Sequence, residues 1–356
     1  MERVWQMDTL CAMAVQPPIL KKINVQKPAN DITAGKPGLA GKPVIHAENL
    51  TKQFGDEVAV NGATFDVQPG TIMGFIGPSG SGKTTLVRLL TGVLTPSAGK
   101  AIVLGRQPIH FNQATREKIG YMPQLFVLYP QLTVWENLNF AASIYGMGLR
   151  RGNRLKNVLD FVELYEHRGK RTRDTSGGMQ RRLSLAATLV HEPSLIFLDE
   201  PTAGIDPVLR RKFWDHFRAL RDEGRTLFVT TQYVGEAAFC DYVGVMANGR
   251  VLMVEPPEEL RRRAYGGDMI DVTTSMPFNR SLLTAMRQLP FVVGSVDAVS
   301  STHIRLTVDD DSTALPALVD WCRDQDLEVQ SIEPYVPPYD DVFVELVKDQ
   351  SNEEGA

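Results

Sequence analysis

The chain has 356 residues, of which 43% are hydrophobic and 22% charged, with a net charge of −4. This composition excludes a disordered or collagen-like chain, and the charge argues against broad coating of nucleic acid. Cys11, Cys240 and Cys322 lie far apart and form no CxxC pair, so neither a zinc site nor a disulfide framework is expected.

At ~100–200 residues per domain the length predicts two domains, or one with an appendage. The charge is unevenly spread: residues 1–43 sum to +3, residues 44–265 to +5 and residues 266–356 to −12. Such a shift marks a boundary. Residues 1–43 hold Pro17, Pro18, Pro28, Pro37 and Pro43 with no sustained period, which predicts a flexible extension. Met1-Glu2-Arg3 is followed by no apolar core of signal-peptide length. No apolar run approaches the ~18 residues that would span a bilayer.

From Val44 short apolar runs alternate with helical patterns, as in an α/β unit with a largely parallel sheet. Thr71–Ile76 reads as a buried strand and Lys83–Leu90 as the next helix. Helical periodicity takes over between about 125 and 190, which predicts a helical insertion. Leu195–Leu198 and Thr226–Thr230 are further buried strands. After Gly266-Gly267 comes a second module. Met269–Thr274, Phe291–Val299, His303–Val308 and Glu328–Glu333 read as strands. Leu282, Ala285, Met286 and Leu289 stripe one helix, Leu315, Leu318, Val319 and Cys322 another, and Asp341–Val347 a closing helix. The order βαββαβ plus a helix predicts a ferredoxin-like arrangement.

Gly77-Pro78-Ser79-Gly80-Ser81-Gly82-Lys83-Thr84, followed by Thr85, fits G-x-x-x-x-G-K-[ST] between a strand and a helix. The backbone N–H groups of such a loop form an anion nest, and the helix N-terminus points at the same phosphates. Lys83 adds charge for the β- and γ-phosphates, and the Thr84 hydroxyl is placed to ligate Mg²⁺. A glycine-rich hairpin turn is the competing reading, and the flanking strand and helix disfavour it. The strand Leu195–Leu198 ends in Asp199-Glu200. Asp199 suits orientation of Mg²⁺, and Glu200 suits a general base that polarises the attacking water. No Asn-Lys-x-Asp motif for a guanine base follows a strand.

Asp174-Thr175-Ser176-Gly177-Gly178-Met179-Gln180-Arg181-Arg182 resembles the signature motif of ABC ATPases. Other motifs fall in that family's order over residues 44–265. Phe54 resembles the adenine-stacking aromatic, Gln124 the Q-loop glutamine and Ala203–Asp206 the D-loop. Gln232 stands at the H-loop position, and Gly249-Arg250-Val251 resembles the closing strand turn. The resemblance implies a P-loop NTPase of α/β class: a RecA-like core, an antiparallel β part and the helical insertion, with the small α+β domain at residues 266–356 appended. It implies ATP and Mg²⁺ as cofactors, with Thr84, Asp199 and Gln124 around the metal. It also implies a head-to-tail sandwich with a second nucleotide-binding domain, expected as a homodimer, in which Ser176, Gly177 and Gly178 contact ATP held by Lys83 of the other copy. Asp206, the end of the D-loop stretch, is carried over among the nucleotide-binding residues.

The ending Tyr339-Asp340-Asp341-Val342-Phe343 is similar to that of drug- and polymer-export ATPases of the daunorubicin-resistance type. This implies export driven through a separate membrane permease, at the cytoplasmic face of the membrane, with no nucleic-acid partner. The stretch Phe126–Pro130 would be the permease docking groove, or core for the insertion. Three positions depart from the pattern: Thr175 and Met179 in the signature, and Gln232 in place of the usual histidine. Hydrolysis is expected to persist, because Glu200 is intact. A low-activity subunit pairing with a competent ATPase stays open as an alternative. A soluble ABC ATPase outside transport is disfavoured by the single P-loop and the lack of an internal repeat.

Overall fold

A computed structural model describes residues 42–125 and 127–353, without the side chains of the last five. The expected extension therefore lies almost wholly outside the described residues, as does Phe126.

The chain starts with β1 (Ile45–Phe54), β2 (Glu57–Val67) and β3 (Ile72–Ile76), then α1 (Lys83–Leu90) and β4 (Ala98–Val103). It continues through α2 (Gln113–Arg116) and β5 (Ile119–Met122) into α3 (Val134–Ile144), α4 (Gly152–Phe161) and α5 (Gly177–Leu189). Next come β6 (Leu195–Asp199), α6 (Pro207–Asp222), β7 (Thr226–Thr231), β8 (Tyr242–Ala247), β9 (Arg250–Glu255) and α7 (Pro257–Tyr265). The remaining elements are β10 (Asp268–Thr274), α8 (Arg280–Met286), β11 (Val292–Ala298), β12 (His303–Val308), α9 (Asp311–Asp324), β13 (Val329–Tyr335) and α10 (Tyr339–Glu353).

Three sheets organise these elements. The largest has the order β5-β6-β7-β3-β8-β9, parallel except for the β9 edge. Every residue of β3, β6 and β7 is buried. Strands covered on both faces require such continuous apolar runs, which is why they stand out in the sequence. A second sheet, β2-β1-β4, is antiparallel. The third has the order β11-β12-β10-β13 with every neighbour antiparallel, the arrangement of a split βαβ fold.

Local signals set the helix starts. Thr133 and Glu136 form a capping box that opens α3. Ser176 opens α5, its hydroxyl accepting from Met179 N at 3.3 Å. Asp206 opens α6, accepting from Leu209 N at 2.9 Å, with Pro207 in the first turn.

One expectation is corrected. The sequence assigns the closing helix to the C-terminal module. Instead α10 packs on α7 and on the turn Val234–Phe239. Tyr339, Val342 and Leu346 are buried in the same apolar core as Trp214, Ala237, Cys240 and Leu260. Their spacing makes one helical stripe, and a stripe identifies a buried face without saying which core receives it. The Arg261 guanidinium, 3.9 Å above the Tyr339 ring, also donates to Pro337 O at 3.2 Å.

Candidate nucleotide site

The loop between β3 and α1 is shaped by the protein around it. A Cβ on Gly77 would stand 2.1 Å from Met246 O, and one on Gly82 2.2 Å from Ala59 O. Gly82 also caps α1 at φ 100°, a left-handed conformation open to glycine. The loop thus presses on β2 and β8 with backbone, and no larger residue fits. Pro78, Ser79 and Gly80 face outward, and Thr85 is half-buried in the first turn of α1.

Lys83 is 4% exposed. Its ammonium donates to Gly77 O at 2.7 Å, Pro78 O at 2.8 Å and Ser81 Oγ at 3.3 Å. Burial pushes this amine below the usual lysine range, and the Glu200 and Asp199 carboxylates pull it back. The positive charge therefore sits inside the loop with two carboxylates across from it.

Those carboxylates come from the end of β6. Asp199 is fully buried. Its Oδ1 accepts from Thr84 Oγ1 at 3.1 Å and from Thr230 Oγ1 at 2.6 Å. Among the described residues, its buried Oδ2 has no hydrogen-bond partner. An orphaned carboxylate oxygen beside a threonine hydroxyl fits a hard divalent cation. Glu200 follows at φ 50°, a conformation that costs a non-glycine residue ~1–3 kcal/mol. Its N–H is held by Thr230 O at 3.0 Å and Thr230 Oγ1 at 3.2 Å. Its Oε2 accepts from Gln124 Nε2 at 3.1 Å.

Lys83, Thr84, Asp199, Glu200 and Gln124, from three separate stretches of chain, thus meet at the carboxyl ends of β3, β5 and β6. Phe54, Ser176, Asp206 and Gln232 lie on other elements, and each is exposed. The Phe54 ring is 46% exposed with Lys52 Nζ 5.0 Å from its centroid. Gly177 and Gly178 form the first turn of α5.

Three contributors were given no role by the sequence, although Arg181 lies within the signature-like stretch. Thr230 holds both acidic residues from the neighbouring strand, in register with Asp199. Arg181, 4% exposed, donates to Gln124 O at 2.9 Å. Asn137, also 4% exposed, exchanges bonds with Tyr129 N and Tyr129 O and donates to Thr172 Oγ1 at 2.9 Å. It thereby fastens the loop after Gln124 to α3 and to the segment before Ser176. The only available signal was an asparagine on a buried helix face. In that loop Val127 is 75% exposed, whereas Leu128 packs against the core.

A phosphate-cradling loop, a buried lysine and a carboxylate pair at the end of a parallel strand define a P-loop nucleoside-triphosphate-binding protein. The ABC transporter family model matches residues 60–203. Daunorubicin resistance ATP-binding protein DrrA3 of Streptomyces coeruleorubidus is 36% identical over 307 residues, 86% of this chain and 96% of that one. The chain therefore belongs to the ATP-binding proteins of the ABC transporter family. Nod factor export ATP-binding protein I of Ralstonia nicotianae is 35% identical over 71% of this chain and 79% of its own. "Probable multidrug ABC transporter ATP-binding protein YbhF" of Escherichia coli K12 is 37% identical over 68% of this chain, which spans 42% of that protein. Among solved structures, cbiO1 of Clostridium perfringens, part of the cbiONQ transporter complex, superposes with a TM-score of 0.56. It is 28% identical and covers 62% of this chain and 91% of its own. The dimeric ABC transporter cassette MJ0796 gives 0.57 at 26% identity, over 60% of this chain and 98% of its own.

Proposed function

We propose that this chain is the ATP-hydrolysing motor subunit of an ABC exporter and works through a separate membrane permease. The observation that carries the reading is the Gln124–Glu200 hydrogen bond beside the Thr84–Asp199 pair. Together they support a reading of Glu200 as a base beside a metal-binding pair at the phosphate loop.

In this reading Lys83 and the loop N–H groups hold the β- and γ-phosphates of ATP. Thr84, Asp199 and Gln124 would hold Mg²⁺, which when bound neutralises charge on the phosphate oxygens. Glu200 takes a proton from the attacking water. The bond from the γ-phosphorus to the bridging oxygen then breaks, leaving ADP and phosphate. The exposed start of α5 offers Ser176 and the N–H groups of Gly177 and Gly178 to ATP held by a second copy. Phe54 stacks on adenine. Residues 44–265 form the nucleotide-binding unit, with residues 266–338 a separate acidic α+β unit.

The partner surface lies on the insertion. Leu125 and Val127 are 81% and 75% exposed, and the Tyr129 ring meets Phe140 edge-on at 4.8 Å. An apolar, aromatic patch of this kind suits a helix from a permease. Among the described residues no helix is long and apolar enough to cross a membrane, so membrane association is assigned to that contact. Gln232 and Met179 favour one second reading, a low-activity subunit beside a competent one.

Glu200→Gln tests the main reading. Turnover should fall at least ~100-fold, the scale of a lost general base, while ATP still binds. Undiminished turnover in this variant would sink the assigned base.

A further inference from the structure

We propose that Arg181 is a positioning residue that couples the signature helix α5 to the Glu200 carboxylate through Gln124. The inference rests on the reading of Glu200 as the base, and it concerns how that base is held.

Arg181 lies one turn inside α5, the helix whose first turn carries Gly177 and Gly178. Its guanidinium donates to Gln124 O at 2.9 Å. The side-chain amide of the same Gln124 donates to Glu200 Oε2 at 3.1 Å. Gln124 is therefore gripped at its backbone by the helix and grips the carboxylate with its side chain. Gln124, Leu125 and Val127 are all exposed, and Asn137 fastens the loop further on, at Tyr129. The neighbouring Arg182 donates to Val162 O and Glu163 O, each at 3.2 Å. Consecutive arginines thus bind α5 to the end of α4 on one side and to the Gln124 loop on the other. A movement of the insertion that carries α5 would pull on Gln124 through the Arg181 bond.

The electrostatics agree with this geometry. Burial pushes the Arg181 guanidinium below the usual arginine range, while Glu200 and Asp199 pull it back up. Those carboxylates are the groups whose orientation hydrolysis needs. A buried guanidinium of fixed fork geometry can hold a carbonyl and face a carboxylate pair at once, which a single ammonium does less well. Contact of the α5 start with a nucleotide on the second copy would in this way reach the base of the chain's own site.

The experiment is a double-mutant cycle on the full chain, reading kcat and KM for ATP, with nucleotide affinity measured separately by a fluorescent ATP analogue. The variants are Arg181→Met, Gln124→Ala, their combination, Arg181→Lys and Glu200→Gln. Arg181→Met is expected to lower kcat about tenfold, the loss of one charge-assisted hydrogen bond. KM should stay within about twofold, because the phosphate loop is untouched. The double variant should be no more than about twofold slower than the slower single, since both remove one linkage. Arg181→Lys should recover part of the rate. Multiplying effects with an inactive Glu200→Gln overturn the coupling alone. An active Glu200→Gln overturns the base and the coupling together. If Arg181→Met does not fold, the cycle is run with Arg181→Lys, and multiplying effects there overturn the proposal equally.

Discussion

Thr84 Oγ1 donates to Asp199 Oδ1 at 3.1 Å, while Asp199 Oδ2 lies buried without a partner among the described residues. The two residues are 115 positions apart, and the parallel sheet brings them together. A buried carboxylate oxygen left bare is costly, and a divalent cation removes that cost. Asp199→Asn should therefore raise the Mg²⁺ concentration for half-maximal turnover by ~10–100-fold, the range for weakened metal support. Titrating Mg²⁺ at saturating ATP measures this. An unshifted midpoint would remove Asp199 from the metal site.

Gln232 sits just past β7 and is exposed. Its amide donates hydrogen bonds but carries no titrating proton. Gln232→His places there a group that titrates near ~6.5. The ratio of variant to parent kcat should then change between pH 5.5 and 8, a dependence the glutamine cannot supply. Paired pH–rate profiles give the answer, and a flat ratio would show that this position does not reach the reacting groups.

Asn137 bonds the loop after Gln124 at several points. Its Oδ1 accepts from Tyr129 N at 2.8 Å, and its Nδ2 lies within 3.3 Å of the Tyr129, Leu132 and Thr133 carbonyls. Asn137→Ala strands several buried groups and should cost about 3 kcal/mol. Asn137→Asp should cost more, because it turns a negative charge on those carbonyls. Urea denaturation midpoints provide the measurement, and a loss under about 0.5 kcal/mol for both would contradict the bonding.

The docking of α10 gives a stability prediction. Leu346 is 3% exposed in the main core, so Leu346→Ala should cost ~2–5 kcal/mol. Val319, 41% exposed on α9, serves as the control, and Val319→Ala should stay within about 0.5 kcal/mol. Thermal unfolding of the two variants separates a core helix from a surface one.

The C-terminal sheet was legible because each of its strands and helices carries its own period. The order β11-β12-β10-β13 then follows from chain order and the split βαβ pattern. The fate of α10 was not legible. Tyr339, Val342 and Leu346 state that one helix face is buried, but a stripe carries no address. Arg181 and Asn137 were hidden for a related reason. A buried polar side chain has meaning only through partners distant in the chain, and both bind backbone carbonyls, which every residue possesses.

The sequence by itself determined the chemistry of the phosphate loop and the acidic strand end. Their spacing follows from local geometry: a strand, a tight glycine turn and a helix within a few residues. It also determined the run of buried strands, because burial on both faces demands unbroken apolar residues. The three-dimensional structure alone decided which groups meet. Thr230 holds Asp199 and Glu200 because β7 lies beside β6, and Gln124 reaches Glu200 because β5 lies on the other side of β6. It also decided that Gly77 and Gly82 are required by contact with Met246 and Ala59, not by the phosphate loop's turn alone. The sequence showed that the last helix buries one face, and packing decided that this face joins the core of Trp214 and Leu260.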